Sequence, residues 1–320
     1  MRKDAVVCLM GPTASGKTDV ALRLAEDLPA DLVSVDSALV YRGMDIGTAK
    51  PDSETLRCFP HRLVDIRDPE EAYSAGDFVR DARQHIQSIL DAGRVPILVG
   101  GTMLYFRSLI GGIAELPESA AEVRAVIDAE AAEKGWPTLH TDLAQVDPHA
   151  AARINPNDSQ RIQRALEVYR VSGKTLTEWQ RAATSREDAF HFIKIALIPE
   201  PRAALHERIA RRLEQMLDAG FVDEVRSLMR RPGLTAEHAS MRAVGYRQFW
   251  AYLEGRLDYE TASRKALEAT RQLAKRQLTW LRRELGLFHV NPLEVDAYEA
   301  ISAYLRSLEP TKTGIAARGL

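Results

Sequence analysis

The run Gly11-Pro12-Thr13-Ala14-Ser15-Gly16-Lys17-Thr18 constrains this chain more than any other stretch. It has the spacing G-x-x-x-x-G-K-[ST] of a phosphate-binding P-loop. An apolar run, Ala5–Met10, leads into it, and an amphipathic run starts at Lys17. In that setting the glycines let backbone N–H groups turn inward, making an anion nest at a helix N-terminus. Lys17 supplies a point charge for a terminal phosphate, and the Thr18 hydroxyl is a candidate Mg2+ ligand. The loop alone does not say which phosphate compound it holds.

Short apolar runs alternate with helical patterns through the first hundred residues. Strands are predicted at 5–10, 32–36, 62–66 and 95–99, and helices at 17–28 and 77–92. A later strand of the same sheet is predicted at 192–198. This is an α/β pattern: a parallel P-loop sheet flanked by helices. From 117 to 189 the composition shifts to Ala, Glu, Arg and Gln with helical spacing, which reads as a helical insertion. The catalytic core is then 1–116 with 190–308. Its C-terminal part is helical after Pro201, with breaks expected at Gly220, Gly233 and Gly245. The tail 309–320 has little to bury, and disorder is expected there.

Composition limits the function classes. With 45% apolar and 28% charged residues, the chain has the mix of a folded soluble protein. Its two cysteines, Cys8 and Cys58, offer neither a disulfide framework nor a metal-ligand spacing, and Cys8 reads as core. The first apolar run is too short for a signal segment or a membrane span, so a cytoplasmic protein is expected. Net charge is −2, so a nucleic-acid site must come from local clustering of charge.

Two strand ends carry further information. The strand at 95–99 runs into Gly100-Gly101-Thr102, where a nucleotide hydrolase would place a Walker B acid. The strand at 32–36 ends in Asp36, beside the P-loop, where ligands sit in open α/β sheets. Asp36 there is a general base, a group behind a Mg2+ ion, or a cap for the turn that follows.

The run from Val35 to Pro51, VDSALVYRGMDIGTAKP, resembles the tRNA dimethylallyltransferases, also called tRNA isopentenyltransferases. Further blocks follow in the same order: HRLVDI at 61–66, VGGTMLY at 99–105, NDSQR at 157–161, AVGYRQ at 243–248 and RQLAKRQLTW at 271–280. The resemblance covers roughly residues 5 to 290 and is of the bacterial type, since no Cys or His cluster follows residue 290. It implies prenyl transfer from dimethylallyl diphosphate to N6 of the adenine 3′ of the anticodon. It places the donor diphosphate on Gly11, Pro12, Thr13, Ala14, Ser15, Gly16, Lys17, Thr18 and Arg212. Asp36 matches the proposed general base, and Thr102 lies near the acceptor nucleotide. The Asp36-Ser37-Ala38-Leu39 segment is expected against tRNA.

In the insertion, Gln160, Arg161, Ile162, Gln163 and Arg164 match the family's anticodon-loop contact, with Arg124 a further candidate. Alone, such a run more often marks a solvated helix face. Residues 264–283 carry seven basic side chains against one acid, Glu268. Arg271, Lys275 and Arg282 share a helical face there, which suits phosphate tracking. Arg276, Arg242, Arg247 and Tyr246 complete the expected tRNA surface, although Tyr246 and Trp280 more often belong to a core. Mg2+, tRNA and dimethylallyl diphosphate are the expected cofactor and partners, with a monomeric chain and no membrane. Three rival readings remain: a small-metabolite kinase, a cytokinin-type adenylate isopentenyltransferase, and a non-enzymatic RNA adaptor.

Overall fold

The computed structural model describes residues 2–112, 116–117, 119–183 and 189–308. They fall into two compact units, Met1–Leu109 with Ala189–Leu320, and Ile110–Asp188. The tail at 309–320 lies outside the described residues.

The first unit opens with β1 (Ala5–Met10), α1 (Lys17–Asp27), β2 (Ala30–Val35), α2 (Ser53–Cys58), β3 (His61–Arg62), α3 (Ala75–Asp91), β4 (Val95–Gly100) and α4 (Met103–Ile110). The second unit holds α5 (Ala121–Lys134), α6 (Trp136–Val146), α7 (Pro148–Ala151), α8 (Ser159–Ser172) and α9 (Leu176–Ala183). The first unit then resumes with β5 (His191–Leu197), α10 (Arg202–Asp218), α11 (Phe221–Met229), α12 (Tyr246–Leu253), α13 (Tyr259–Leu281), β6 (Leu287–Val290) and α14 (Ala297–Ser307).

Six strands form one sheet in the order β3-β2-β4-β1-β5-β6, each neighbouring pair parallel. β1 is buried along its whole length, which is why it reads as an unbroken apolar run. Its Ala5, Val7 and Leu9 pack with Val20 and Leu24 of α1 and with Ile301 and Leu305 of α14. Cys8 is fully buried within the strand.

The register sets the site. Met10 pairs with Gly100, and Gly100 pairs with Val35, so three strands end level with one another. The loop 11–18, the pair Asp36-Ser37 and the pair Gly101-Thr102 therefore leave the sheet at one edge. Gly100 is needed for this closeness: a Cβ there would lie 2.0 Å from the Val35 carbonyl oxygen.

Two expectations are corrected. The strand predicted at 62–66 is only His61–Arg62. Leu63 and Asp65 then take left-handed backbone angles, with φ of 65° and 54°, and the segment turns away from the sheet. Lys50, with a nearly buried side chain, holds that turn through Asp65 at 2.5 Å. The C-terminal part is not wholly helical, because Leu287–Val290 adds a sixth strand beside β5. Gly220, Gly233 and Gly245 do interrupt the helices, each with positive φ.

The second unit is a helical module around Ile127, Leu139, Leu143, Ile162 and Leu166. Glu167 is wholly buried there. It accepts hydrogen bonds from Arg124 Nε at 2.9 Å, Arg164 Nη1 at 2.7 Å and the Ala120 amide at 2.9 Å. Burial opposes its charge, but these donors outweigh burial and hold the carboxyl at about 2.

Candidate functional site

At the carboxyl edge of the sheet lies a cavity of about 200 Å3. Thr13, Lys17, Asp36, Gly101, Arg212 and Gln277 are among its walls. An open groove of about 980 Å3 shares Lys17, Thr18 and Arg212 with it, and is edged by Arg208 and Arg211.

The loop 11–18 is folded as its sequence requires. Ala14 and Gly16 take positive φ, 61° and 87°, and turn the chain into α1. Gly11 lies against backbone, where a Cβ would come within 2.7 Å of the Leu197 carbonyl oxygen. Lys17 Nζ donates to the Pro12 carbonyl at 2.7 Å and to Ser15 Oγ at 3.3 Å. Burial brings the Lys17 amine down to about 7, the Arg212 charge adds to that effect, and Asp36 works against it. Burial also lowers the Arg212 guanidinium, with Asp36 again opposing. Two half-buried cations near one carboxylate make a pocket suited to an anion.

A titration follows. Above pH 7 the free Lys17 amine is largely neutral, and an anion against it restores the proton. At pH 8, inorganic pyrophosphate binding should therefore take up about one more proton in the wild type than in Lys17→Met. Calorimetry in buffers of different ionisation enthalpy measures this, and equal uptake in both proteins would refute it.

Asp36 follows β2 directly. Its Oδ1 accepts from the Ala38 amide at 2.8 Å and the Leu39 amide at 3.4 Å. The carboxylate thus caps its own turn through one oxygen, and Oδ2 has no hydrogen-bond partner among the described residues. Thr102 sits across from it: its Oγ1 accepts from the Ser37 amide at 3.0 Å, and its own amide donates to the Val35 carbonyl at 3.1 Å. Ser37 is exposed, while Ala38 and Leu39 are half-buried.

Residues absent from the sequence-based site shape the cavity. Glu224 Oε2 accepts from the Asp45 and Ile46 amides at 2.8 and 2.7 Å, and Oε1 from the Gly47 amide at 3.1 Å and the Tyr246 hydroxyl at 2.6 Å. One carboxylate thereby fixes the wall at 45–47. Gln277 ties the loop to the end of β4. Arg208 joins the already expected Arg212: four apart on α10 they share a face, a spacing that was legible in the sequence. Glu224→Ala should destabilise the fold by about 2–3 kcal/mol, since charged hydrogen bonds are lost and the Tyr246 hydroxyl is left buried. Denaturant unfolding checks this, and an unchanged midpoint would exclude the role.

Several expected tRNA contacts are otherwise engaged. Tyr246 is fully buried with its hydroxyl on Glu224, so its ring is a core and cavity-wall group rather than an external stacking platform. Ile162 is also fully buried, in the core of the helical module, so its side chain is not an RNA contact. Arg124 and Arg164 are bound to Glu167, and Gln163 Nε2 donates to Asp128 at 2.6 Å. Gln160 and Arg161 stand exposed at the start of α8, with Arg161 paired to Asp158 at 3.0 Å. Arg242, paired with Glu237, and Arg247 are exposed. Lys275, Arg276 and Arg282 are exposed along α13 and its end, without ion pairs among the described residues, whereas Arg271 is partly buried. Trp280 is 36% exposed, with the Arg107 guanidinium 5.2 Å from its ring centre.

Residues 39–284 match the family model described as IPP transferase. A tRNA dimethylallyltransferase of Thioalkalivibrio sulfidiphilus is 54% identical over 308 residues, 96% of each chain. One from Alkalilimnicola ehrlichii is 57% identical over 88% of this chain and 89% of that one. The crystal structure of the full-length tRNA isopentenylpyrophosphate transferase of Bacillus halodurans superposes with a TM-score of 0.70 at 35% identity, covering 95% of this chain and 96% of that chain. Crystallographic snapshots of a eukaryotic dimethylallyltransferase acting on tRNA give a TM-score of 0.80 at 25% identity, over 97% of this chain and 81% of that chain. Kinship of this depth, carried through nearly the whole length, makes the chain a member of the tRNA dimethylallyltransferase (IPP transferase) family.

Proposed function

We propose that the protein transfers the dimethylallyl group of dimethylallyl diphosphate to N6 of the adenine 3′-adjacent to the anticodon of tRNA. The observation that carries this is one cavity that brings together two half-buried cations, Lys17 and Arg212, and the Asp36 carboxylate at the sheet edge. The cations and the amides at the head of α1 take the diphosphate, the Thr13 and Ser15 amides being engaged by Gln277 and the Pro12 carbonyl. As the allylic C–O bond breaks, its electron pair leaves with the diphosphate, whose growing charge they neutralise. The N6 lone pair forms the new C–N bond. N6 is a weak nucleophile because its lone pair is delocalised into the ring; its proton becomes acidic as the bond forms, and Asp36 receives it through its open oxygen. The products are N6-isopentenyladenosine and diphosphate. The transfer needs water kept from the allylic centre, and the bound tRNA would cover the open side of the cavity.

Mg2+ fits this site as a substrate-borne ion. No group of three acidic, histidine or cysteine side chains able to hold a metal exists among the described residues. The Thr18 hydroxyl at the head of α1 and the diphosphate oxygens are hard ligands of the type Mg2+ takes, and the ion would supply further neutralisation of the leaving group. The bound base must leave its stack to reach the cavity. Exposed Gln160, Arg161, Lys275, Arg276 and Arg282 are the side chains offered to the RNA. No helix among the described residues is long and apolar enough to cross a membrane, and we take the enzyme to act as a cytoplasmic monomer.

Labelled dimethylallyl diphosphate with Mg2+ and either tRNA, AMP or ATP tests the reading. Label should pass to tRNA alone. Transfer to a free nucleotide would mark an adenylate prenyltransferase instead, and a requirement for ATP hydrolysis would mark a kinase-like use of the loop.

A further inference from the structure

Gln277 lies on α13, between the exposed pair Lys275-Arg276 and the sheet edge, and its own side chain is 7% exposed. Its Oε1 accepts from the Thr13 amide at 2.9 Å, and its Nε2 donates to the Gly101 carbonyl at 2.8 Å. An amide N–H only donates and a carbonyl only accepts, so these partners fix which way the side chain points. The two bonds join the phosphate loop to the end of β4, and Thr13 and Gly101 both line the cavity.

On the loop side, the Thr13 amide belongs to the same peptide plane as the Pro12 carbonyl. That carbonyl accepts from Lys17 Nζ at 2.7 Å. Holding the plane by its N–H therefore sets where the lysine rests. On the other side, Gly101 precedes Thr102, whose amide binds the Val35 carbonyl and whose hydroxyl oxygen binds the Ser37 amide. Those two bonds bracket Asp36. Gly101 is shaped for this contact, because a Cβ there would stand 2.5 Å from Gln277 Nε2.

We infer that Gln277 is a positioning residue for the transfer: through one side-chain amide it sets the Lys17 amine and the Asp36 carboxylate at a fixed separation. The inference rests on the function proposed above. A donor carbon and an acceptor nitrogen must meet at bonding distance between these two groups, so a slack span costs rate rather than affinity for RNA.

The test is a double-variant cycle. Gln277→Leu removes both bonds. Gly101→Ala leaves the glutamine in place and pushes its amide aside. In single-turnover transfer to tRNA, each should slow the chemical step by on the order of 10²-fold. The tRNA Michaelis constant should stay within about twofold of wild type, since no RNA-facing group is touched. The combined variant should be no slower than the worse single one, because both remove the same contact. Losses that multiply would overturn the inference, as would a wild-type rate for Gln277→Leu.

A second readout does not depend on the reaction. Gln277→Leu should weaken inorganic pyrophosphate binding by about tenfold, the equivalent of one ordinary hydrogen bond, and change the proton uptake that accompanies it. Unchanged affinity and uptake would refute the role even if the wild type transferred nothing to tRNA, a result that would sink the proposed function instead. Should Gln277→Leu fail to fold, Gly101→Ala alone carries the test, and a wild-type transfer rate and pyrophosphate affinity in it would overturn the inference.

Discussion

Asp36→Asn is expected to lower the single-turnover rate of prenyl transfer by roughly 10²–10⁴-fold, the range of general acid–base catalysis. The substitution is conservative in geometry. An asparagine oxygen can keep the bonds from the Ala38 and Leu39 amides that Oδ1 now accepts, so the turn after β2 survives. What disappears is the second carboxylate oxygen as a proton acceptor. The adenine amine becomes acidic only as the new bond forms, so the loss falls on the transition state and leaves binding nearly intact. Asp36→Ala provides the contrast: it removes the turn cap as well and should cost about 1 kcal/mol of stability that Asp36→Asn retains. Measuring with enzyme in excess separates chemistry from product release. Near-normal turnover in Asp36→Asn would remove the residue from the mechanism. Weak tRNA binding with normal chemistry would make it a recognition residue.

Lys17→Met is expected to cut donor kcat/KM by roughly 10²–10³-fold, the usual cost of deleting one charge-stabilising donor. A methionine of similar length fills the volume, so the effect belongs to charge. Stability should move the other way. The amine's value in the fold, about 7, lies below its ordinary 10.5, because burial disfavours the cation. The charged lysine therefore costs the empty fold stability below pH 7, and that cost is relieved as pH rises from 7 towards 10.5. At neutral pH, Lys17→Met should melt no lower than the wild type. A variant that lost activity and stability together would point to a packing role.

The parallel sheet was legible because its inner strands are covered on both faces and read as continuous apolar runs, as β1 and β4 do. β3 misled because the apolar Leu63 sits in a left-handed turn, which pattern alone does not reveal. β6 was missed because it is four residues long at the sheet edge, with only Val290 buried. In the helical module, a motif match names Ile162 but not its direction. The stripe Ile162, Ala165 and Leu166, spaced by three and four, faces the core. Glu224 and Gln277 act on amides 179 and 264 residues away, and no local pattern carries that information.

The strand order has a consequence for synthesis. β1, which delivers the phosphate loop, is bordered on one side by β4 and on the other by β5. β2 never touches β1; β4 lies between them. A growing chain therefore carries the loop from its first residues and can pair β1 with β4 once residue 100 is made, yet the other flank of β1 stays unfilled until His191–Leu197 has been made. The helical module at 110–188 emerges before that closing strand. On the ribosome, the module is thus able to collapse around its own core first, and anion capture arrives late, as a property of the nearly finished polypeptide rather than of its amino-terminal portion.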